Sequence, residues 1–311
     1  MKASLALLIV FAVLLSALSV FLYVENSRLR RELQSLRAAY NTLLAEYDEL
    51  RSSYEHLSSE YESLQGEFFT LKSTYEYLRE EHERFVEGYS KLRENILGRT
   101  FYKPESWPEK IDYKSSEVAY ATSAALKAWY YGANPYSKIY GWIKDHIEYN
   151  YDTPVPILPS EPWEELKWRS SYWKKASETV NDGYGDCEDL AILAAAMVLN
   201  YWLTRKGTTY IIWVVVITGP TAGHAFTIIP VQGGKVIILD PAGSKITGLD
   251  LWIYRIVEPE DIGEAITEYV EEWEKHGHYF DTVYAVFNHK EYMILDMSIH
   301  EFIKWLYEQT T

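Results

Sequence analysis

From Leu29 to Ile96 the chain repeats residues that are apolar except at His82 with an unbroken period of seven, and few folds accommodate that. One series runs Leu29, Leu36, Leu43, Leu50 and onward to Phe85 and Leu92. The other runs Leu33, Tyr40, Tyr47, Tyr54 and onward to Tyr89 and Ile96. The spacing alternates four and three throughout, and Glu, Arg, Ser and Lys fill most of the remaining positions. A seam this narrow is the mark of a coiled coil, because a helix packed on a globular core needs a broader apolar stripe. At 1.5 Å per residue it predicts a helix ~100 Å long that self-associates as a homo-oligomer. A helix folded back on the rest of the chain is the alternative, but no other segment is long enough to cover it. Leu holds the d positions and Tyr most of the a positions, which leaves strand number and orientation open.

The stretch from Ala3 to Val24 carries no charge and is about as long as a helix crossing a ~30 Å hydrocarbon core. A cleaved signal peptide has a shorter apolar region followed by a small-x-small site. Here Ser16-Ala17-Leu18-Ser19 lies inside the run, so an uncleaved, single-pass membrane anchor is expected. Lys2 flanks one end, while Arg28, Arg30, Arg31 and Arg37 follow the other, a bias too modest to fix sidedness.

Pro104, Trp107 and Pro108 interrupt the helical pattern after Gly98. The chain thus divides into an anchor at 1–24, a coiled-coil stalk at 25–97, a linker at 98–112 and a globular domain at 113–311. In that domain, helices are predicted over Ser116–Tyr131 (ending at Gly132), from Asn134-Pro135 onward, and from Cys187 to about Leu203; the segment 149–162 reads as an ordered loop. Tyr210–Thr218, Ala225–Val231 and Val236–Asp240 read as antiparallel strands separated by glycine turns. A helix over 260–275, a hairpin at 282–295 and a final helix at 298–307 complete an α+β domain.

The formal net charge is -15, and no basic stripe with interleaved aromatics appears, which argues against a nucleic-acid partner. There is one cysteine, Cys187, so neither an internal disulfide nor a multi-thiolate zinc site can form. The histidines are dispersed without ligand spacing, and no metal or cofactor is expected.

Cys187 follows Gly183-Tyr-Gly-Asp186, a turn ending in a residue suited to an N-cap. That places it in the first turn of a helix, where free N–H groups favour a thiolate and could stabilise an oxyanion. Glu188 and Asp189 share that turn and would partly oppose the thiolate. A thiolate catalyst also needs an imidazole and a group to orient it. His224 opens one strand and Asp240 ends the next; pairing through Gly233-Gly234 would bring them together at one edge of the sheet. The alternative readings are a buried core thiol, a strand-capping histidine and a turn-forming aspartate.

The segments GYGDCEDLAILAAAMV, GHAFTIIPV and VIILDPAG resemble, in order and spacing, the three motifs of the transglutaminase-like superfamily. With the N-terminal anchor, the chain is similar to archaeal membrane-anchored transglutaminase-like proteins. The resemblance covers about 115–260 and implies a papain-like α+β core, with the cysteine's helix packed on an antiparallel sheet. It implies Cys187 as nucleophile, His224 as general base and later acid, and Asp240 as the orienting carboxylate. A side-chain oxyanion donor is common in the superfamily, with Tyr151 and Trp173 the candidates here. The implied activity is acyl transfer through a thioester on a protein or peptide substrate, to water or to an amine. A non-catalytic, membrane-tethered scaffold on the same fold is the rival, and a cleft covered by residues 265–311 or 149–173 is a further possibility.

Overall fold

A computed structural model describes residues 2–127, 134–161, 163–220, 222–248 and 258–310. Helix α1 spans Lys2–Leu97, and the chain divides into two compact units, Met1–Val86 and Glu87–Thr311. In the first unit the seam residues are exposed along the helix, and (i, i+4) pairs such as Arg51–Glu55 support it from the polar side. Its N-terminal part is long and apolar enough to cross a membrane.

The second unit, the head, begins within the last turns of α1. There Tyr89 Oη donates to Pro159 O at 2.9 Å and Arg93 Nε to Leu158 O at 3.2 Å. The segment 98–112, expected to be a linker, is instead packed. Its prolines start two 3-10 turns, and between them Trp107 is fully buried and stacked on Trp173 at 4.6 Å. The prolines break the helix, but the tryptophan turns the break into core. Trp107→Ala is expected to cost the head about 3–5 kcal/mol, read as a shift in the urea midpoint with little change in slope.

Helices α2 (Ser116–Lys127) and α3 (Pro135–His146) follow. Asn134 caps α3 as expected, accepting from Tyr136 N at 2.8 Å; the expected end of α2 near Gly132 lies outside the described residues. Next come β1 (Glu148–Tyr149), β2 (Val155–Ile157) and β3 (Lys167–Arg169). The segment read as a loop thus holds the end of β1 and the short strand β2, which pairs with β3 beyond it; its end at Pro162 is also outside the described residues. Helix α4 (Ala176–Asp182) ends at Gly183, whose φ of 73° closes it in the left-handed region. Strand β4 (Tyr184–Gly185) then leads directly into α5 (Cys187–Lys206). α5 is apolar on every side from Leu190 to Leu199, and those residues are buried, as a central helix requires.

The rest of the head is built around a sheet. Strands β5 (Trp213–Thr218), β6 (Gly223–Val231) and β7 (Lys235–Leu239) are followed by α6 (Pro241–Thr247), β8 (Glu260–Asp261) and α7 (Ile262–Lys275). Strands β9 (Thr282–Phe287) and β10 (Tyr292–Ser298) and helix α8 (Ile299–Thr310) end the chain. Six strands run in the order β10-β9-β5-β6-β7-β8, each antiparallel to its neighbours. Alternate residues of β6 meet different helices: Thr227 Oγ1 donates to Ala191 O of α5 at 2.8 Å, while Phe226 packs on Tyr269 of α7 at 4.3 Å. Residues 265–311 are therefore integral to the head: β9 pairs with β5 and Tyr269, Trp273, Phe287 and Phe302 are core. A detachable cover made of these residues does not fit that packing.

Candidate active site

Cys187 sits where three short pieces of backbone meet. Strand β1 pairs in parallel with β4, Tyr149 opposite Gly185, and Asn150 N donates to Gly185 O at 3.0 Å. The pairing carries the chain from Tyr149 to Asp152 alongside the start of α5. Gly185 is required there, because a Cβ would lie 2.6 Å from Asp189 Cβ. Cys187 then opens α5 and is half-buried. It lines a cleft of about 330 Å³ with His224, Phe101, Tyr149, Tyr151 and Trp173.

The expected hairpin supplies the other two groups. β6 and β7 pair with Val231 opposite Lys235 and Thr227 opposite Leu239, turning through Gly233 and Gly234 at positive φ. Asp240, one residue past β7, thereby reaches back diagonally to His224. The His224 Nε2 to Asp240 Oδ2 distance is 3.0 Å, and both side chains are buried. Tyr269 Oη donates to the same Oδ2 at 2.9 Å, and Gly243 N donates to Oδ1 at 2.9 Å. Asp240 thus serves as the N-cap of α6 while it holds the imidazole. His224 rests against Trp273, ring centroids 4.5 Å apart.

Two expectations about the helix start need correcting. Asp186 occupies the N-cap position of α5, but its side chain makes no capping hydrogen bond. The Cys187 thiol, expected to be acidified, is pushed well above its usual range. Burial is the main cause, followed by the negative charges of Glu188 and Asp186, with only the Ala225 N–H pulling the other way. Its hydrogen bond runs to Glu188 Oε2 at 3.2 Å. Burial of the sulfur, with the carboxylates packed beside it, works against the acidifying placement at the first helical turn.

Both candidate oxyanion donors, Tyr151 and Trp173, line the cleft; Tyr151 is largely exposed and Trp173 is buried in its stack with Trp107. Sequence reasoning missed Tyr149, which stands edge-on to Tyr151 at 5.3 Å. Burial raises its hydroxyl pKa, and the adjacent Cys187 and Asp186 push it the same way. Also missed were Tyr269, and a convergence of carboxylates: Asp152, Asp186 and Glu188 each bring one oxygen within 4.8 Å of the others. The expectation of no metal ligands rested on histidine and cysteine spacing, which says nothing about carboxylates gathered from separate segments.

Among solved structures, Legionella pneumophila LapG is similar at 16% identity over 73% of this chain and 97% of that one, with a TM-score of 0.29. A calcium-bound form of the same protein aligns at 17% identity over 68% of this chain and 89% of that one, with a TM-score of 0.28. None of the curated proteins matches the chain. Residues 122–269 match a family model described as a transglutaminase-like domain. The head has the α+β fold expected of such a domain, with the cysteine's helix against an antiparallel sheet, and Cys187, His224, Asp240 and Tyr269 all lie within the transglutaminase-like segment.

Proposed function

We propose that the head is a cysteine-nucleophile acyl-transfer enzyme, of peptidase, amidase or transglutaminase type. One observation carries the reading: Cys187 and His224 line one cleft, and a buried carboxylate holds Nε2 of that imidazole. With Nε2 engaged by Asp240, Nδ1 is the nitrogen left to take the thiol proton. The thiolate attacks an acyl carbonyl, and the leaving amine departs with the proton from His224, giving a Cys187 thioester. Water or a second amine, deprotonated by His224, then attacks the thioester and regenerates the thiol. Tyr149, Tyr151 and Trp173 line the same cleft and are the candidates to donate to the oxyanion. The aromatic walls suit a protein or peptide substrate. The residues 1–24 serve as a single-pass anchor, and the exposed heptad seam of α1 pairs with further copies of the chain.

The rival reading, a non-catalytic scaffold, draws on the raised thiol pKa and the Cys187–Glu188 hydrogen bond. Peptide thioester probes separate the two. The full chain is expected to give a single covalent adduct at Cys187 by mass spectrometry, absent in Cys187→Ala and formed at least about 100-fold more slowly in His224→Ala. No adduct across a broad probe set, or an adduct indifferent to His224, would sink the catalytic reading.

A further inference from the structure

We propose that the pocket between the end of α1, the 3-10 turns of 98–112 and Lys175 binds a free α-amino acid in its zwitterionic form. The pocket has a volume of about 450 Å³, within the range of small-molecule sites. It shares no lining residue with the cleft at Cys187, so its occupancy stands apart from the acyl-transfer reading.

Lys110 lines this pocket yet is only 4% exposed. A lysine is almost never so buried unless it is paired, and the Lys110 side chain makes no ion pair or hydrogen bond among the described residues. The charges acting on it are of its own sign or already engaged. Arg99 is bonded to Glu178, Lys175 is half-buried and enters no ion pair among the described residues, and the adjacent Glu109 is the weakest influence. Burial, and Arg99 after it, bring the Lys110 amine down to about 8, which leaves it mostly a cation at neutral pH. A buried cation without a counter-charge is costly. A carboxylate seated on Lys110 and Lys175 removes that cost.

A simple anion does not complete the chemistry, because acids also line the pocket. Glu94 is spent on Lys103, but Glu105 and Glu109 are exposed and enter no ion pair among the described residues. Glu105 accepts only a long hydrogen bond from Tyr292 Oη, at 3.5 Å. With the two internal pairs set aside, Lys110 and Lys175 remain deeper in the pocket and Glu105 and Glu109 remain at its exposed side. A ligand that leads with a carboxylate and carries an ammonium behind it matches both. An α-amino acid bears these two charges on one carbon, and the volume leaves room for its side chain. A nucleotide would have to bring its phosphates past Glu105 and Glu109.

The test uses the full chain in detergent at constant ionic strength, titrated with L-glutamine or L-leucine while tryptophan fluorescence follows thermal unfolding. About tenfold above its Kd, at least one of the two is expected to raise the midpoint by about 3–6 °C, with acetate and ethylammonium each giving less than half of that at equal concentration. The shift should vanish in Lys110→Met, shrink in Glu109→Gln and persist in Cys187→Ala. Saturation-transfer NMR on the amino acid's own protons should follow the same pattern and reads binding even where a variant changes stability by itself. Lys110 must be charged to hold the carboxylate, and its amine titrates at about 8, so the Kd should weaken about tenfold between about pH 7 and pH 9. No response to either amino acid at tens of millimolar, an equal response to acetate alone, or unchanged binding in Lys110→Met would overturn the site.

Discussion

Asp240→Asn is expected to slow acylation of Cys187 by about 100- to 10,000-fold while leaving the head folded. The reason is a shortage of acceptors. Asp240 Oδ2 takes the His224 and Tyr269 donors, and Oδ1 takes the Gly243 N–H at the start of α6. Asparagine has the same shape but a single acceptor oxygen. If its amide NH₂ faces His224, Nε2 must become an acceptor and the ring proton moves to Nδ1, where it can no longer take the proton of the thiol. If instead the oxygen stays on His224, the NH₂ faces the Gly243 N–H, two donors oppose each other, and the cap is lost at a cost of about 1 kcal/mol. The geometry around Oδ2, with two donors against one at Oδ1, favours the second arrangement structurally. The imidazolium formed during reaction still loses its counter-charge in both. The rate of adduct formation by mass spectrometry, with far-UV circular dichroism to confirm folding, reads the effect. A rate within a few-fold of the parent would mean that the His224–Asp240 contact holds the sheet edge together without serving Cys187.

Much of this architecture is legible in the residues because the signals are local. The seven-residue period predicts α1, the Asn134-Pro135 pair marks the start of α3, and the glycine turns delimit β5, β6 and β7. The Gly233-Gly234 turn fixes the register that unites His224 with Asp240. What escapes is held together by contacts distant in sequence and too short to leave a periodic trace. The β1–β4 pairing is two residues long, yet it decides that Tyr149 and Asp152 stand beside Cys187. Tyr269 meets Asp240 across 29 positions, and nothing local distinguishes it from the other aromatics of an amphipathic helix. Helix α6 leaves a mark, since Asp240-Pro241 is an N-cap followed by proline at the first helical position, but the same pair also reads as the end of a strand. The thiol at the start of α5 is not acidic for a related reason. Sequence position reveals the backbone dipoles that would acidify it, whereas only the fold reveals that the sulfur is buried with carboxylates beside it.

Those carboxylates also set the pH dependence of stability. In chelator, the head is expected to lose stability as pH rises from about 4 to 8, the reverse of the usual acid denaturation. Burial first, and then neighbouring negative charge, hold Asp186 and Asp189 above the ordinary carboxylate range. Burial also raises Glu188, with the charge of Asp189 adding to it against a hydrogen bond to Asp186. An acid whose folded pKa exceeds its unfolded value of about 4 is protonated more readily in the native state. Its contribution is therefore full below the unfolded pKa and is withdrawn as pH climbs toward the folded one. A tenfold difference in proton affinity between the folded and unfolded chain is worth about 1.4 kcal/mol, and because the groups share one cluster their effects do not add. A combined loss of about 3–5 kcal/mol corresponds to a fall of about 10 °C in the midpoint for a domain of this size. Glu178 works in the opposite sense. Burial pushes it up, but the bonds from Arg99 and the Lys175 N–H prevail and hold it low; being partly exposed, that pair contributes less. All 11 tryptophans lie beyond residue 100, so their fluorescence follows the head without interference from α1. Asp186→Asn combined with Glu188→Gln should flatten the profile and make the chelated protein more stable than the parent at pH 8. A parent midpoint that stays level or rises between pH 5 and 8 would show that these carboxylates already have a counter-charge within the protein.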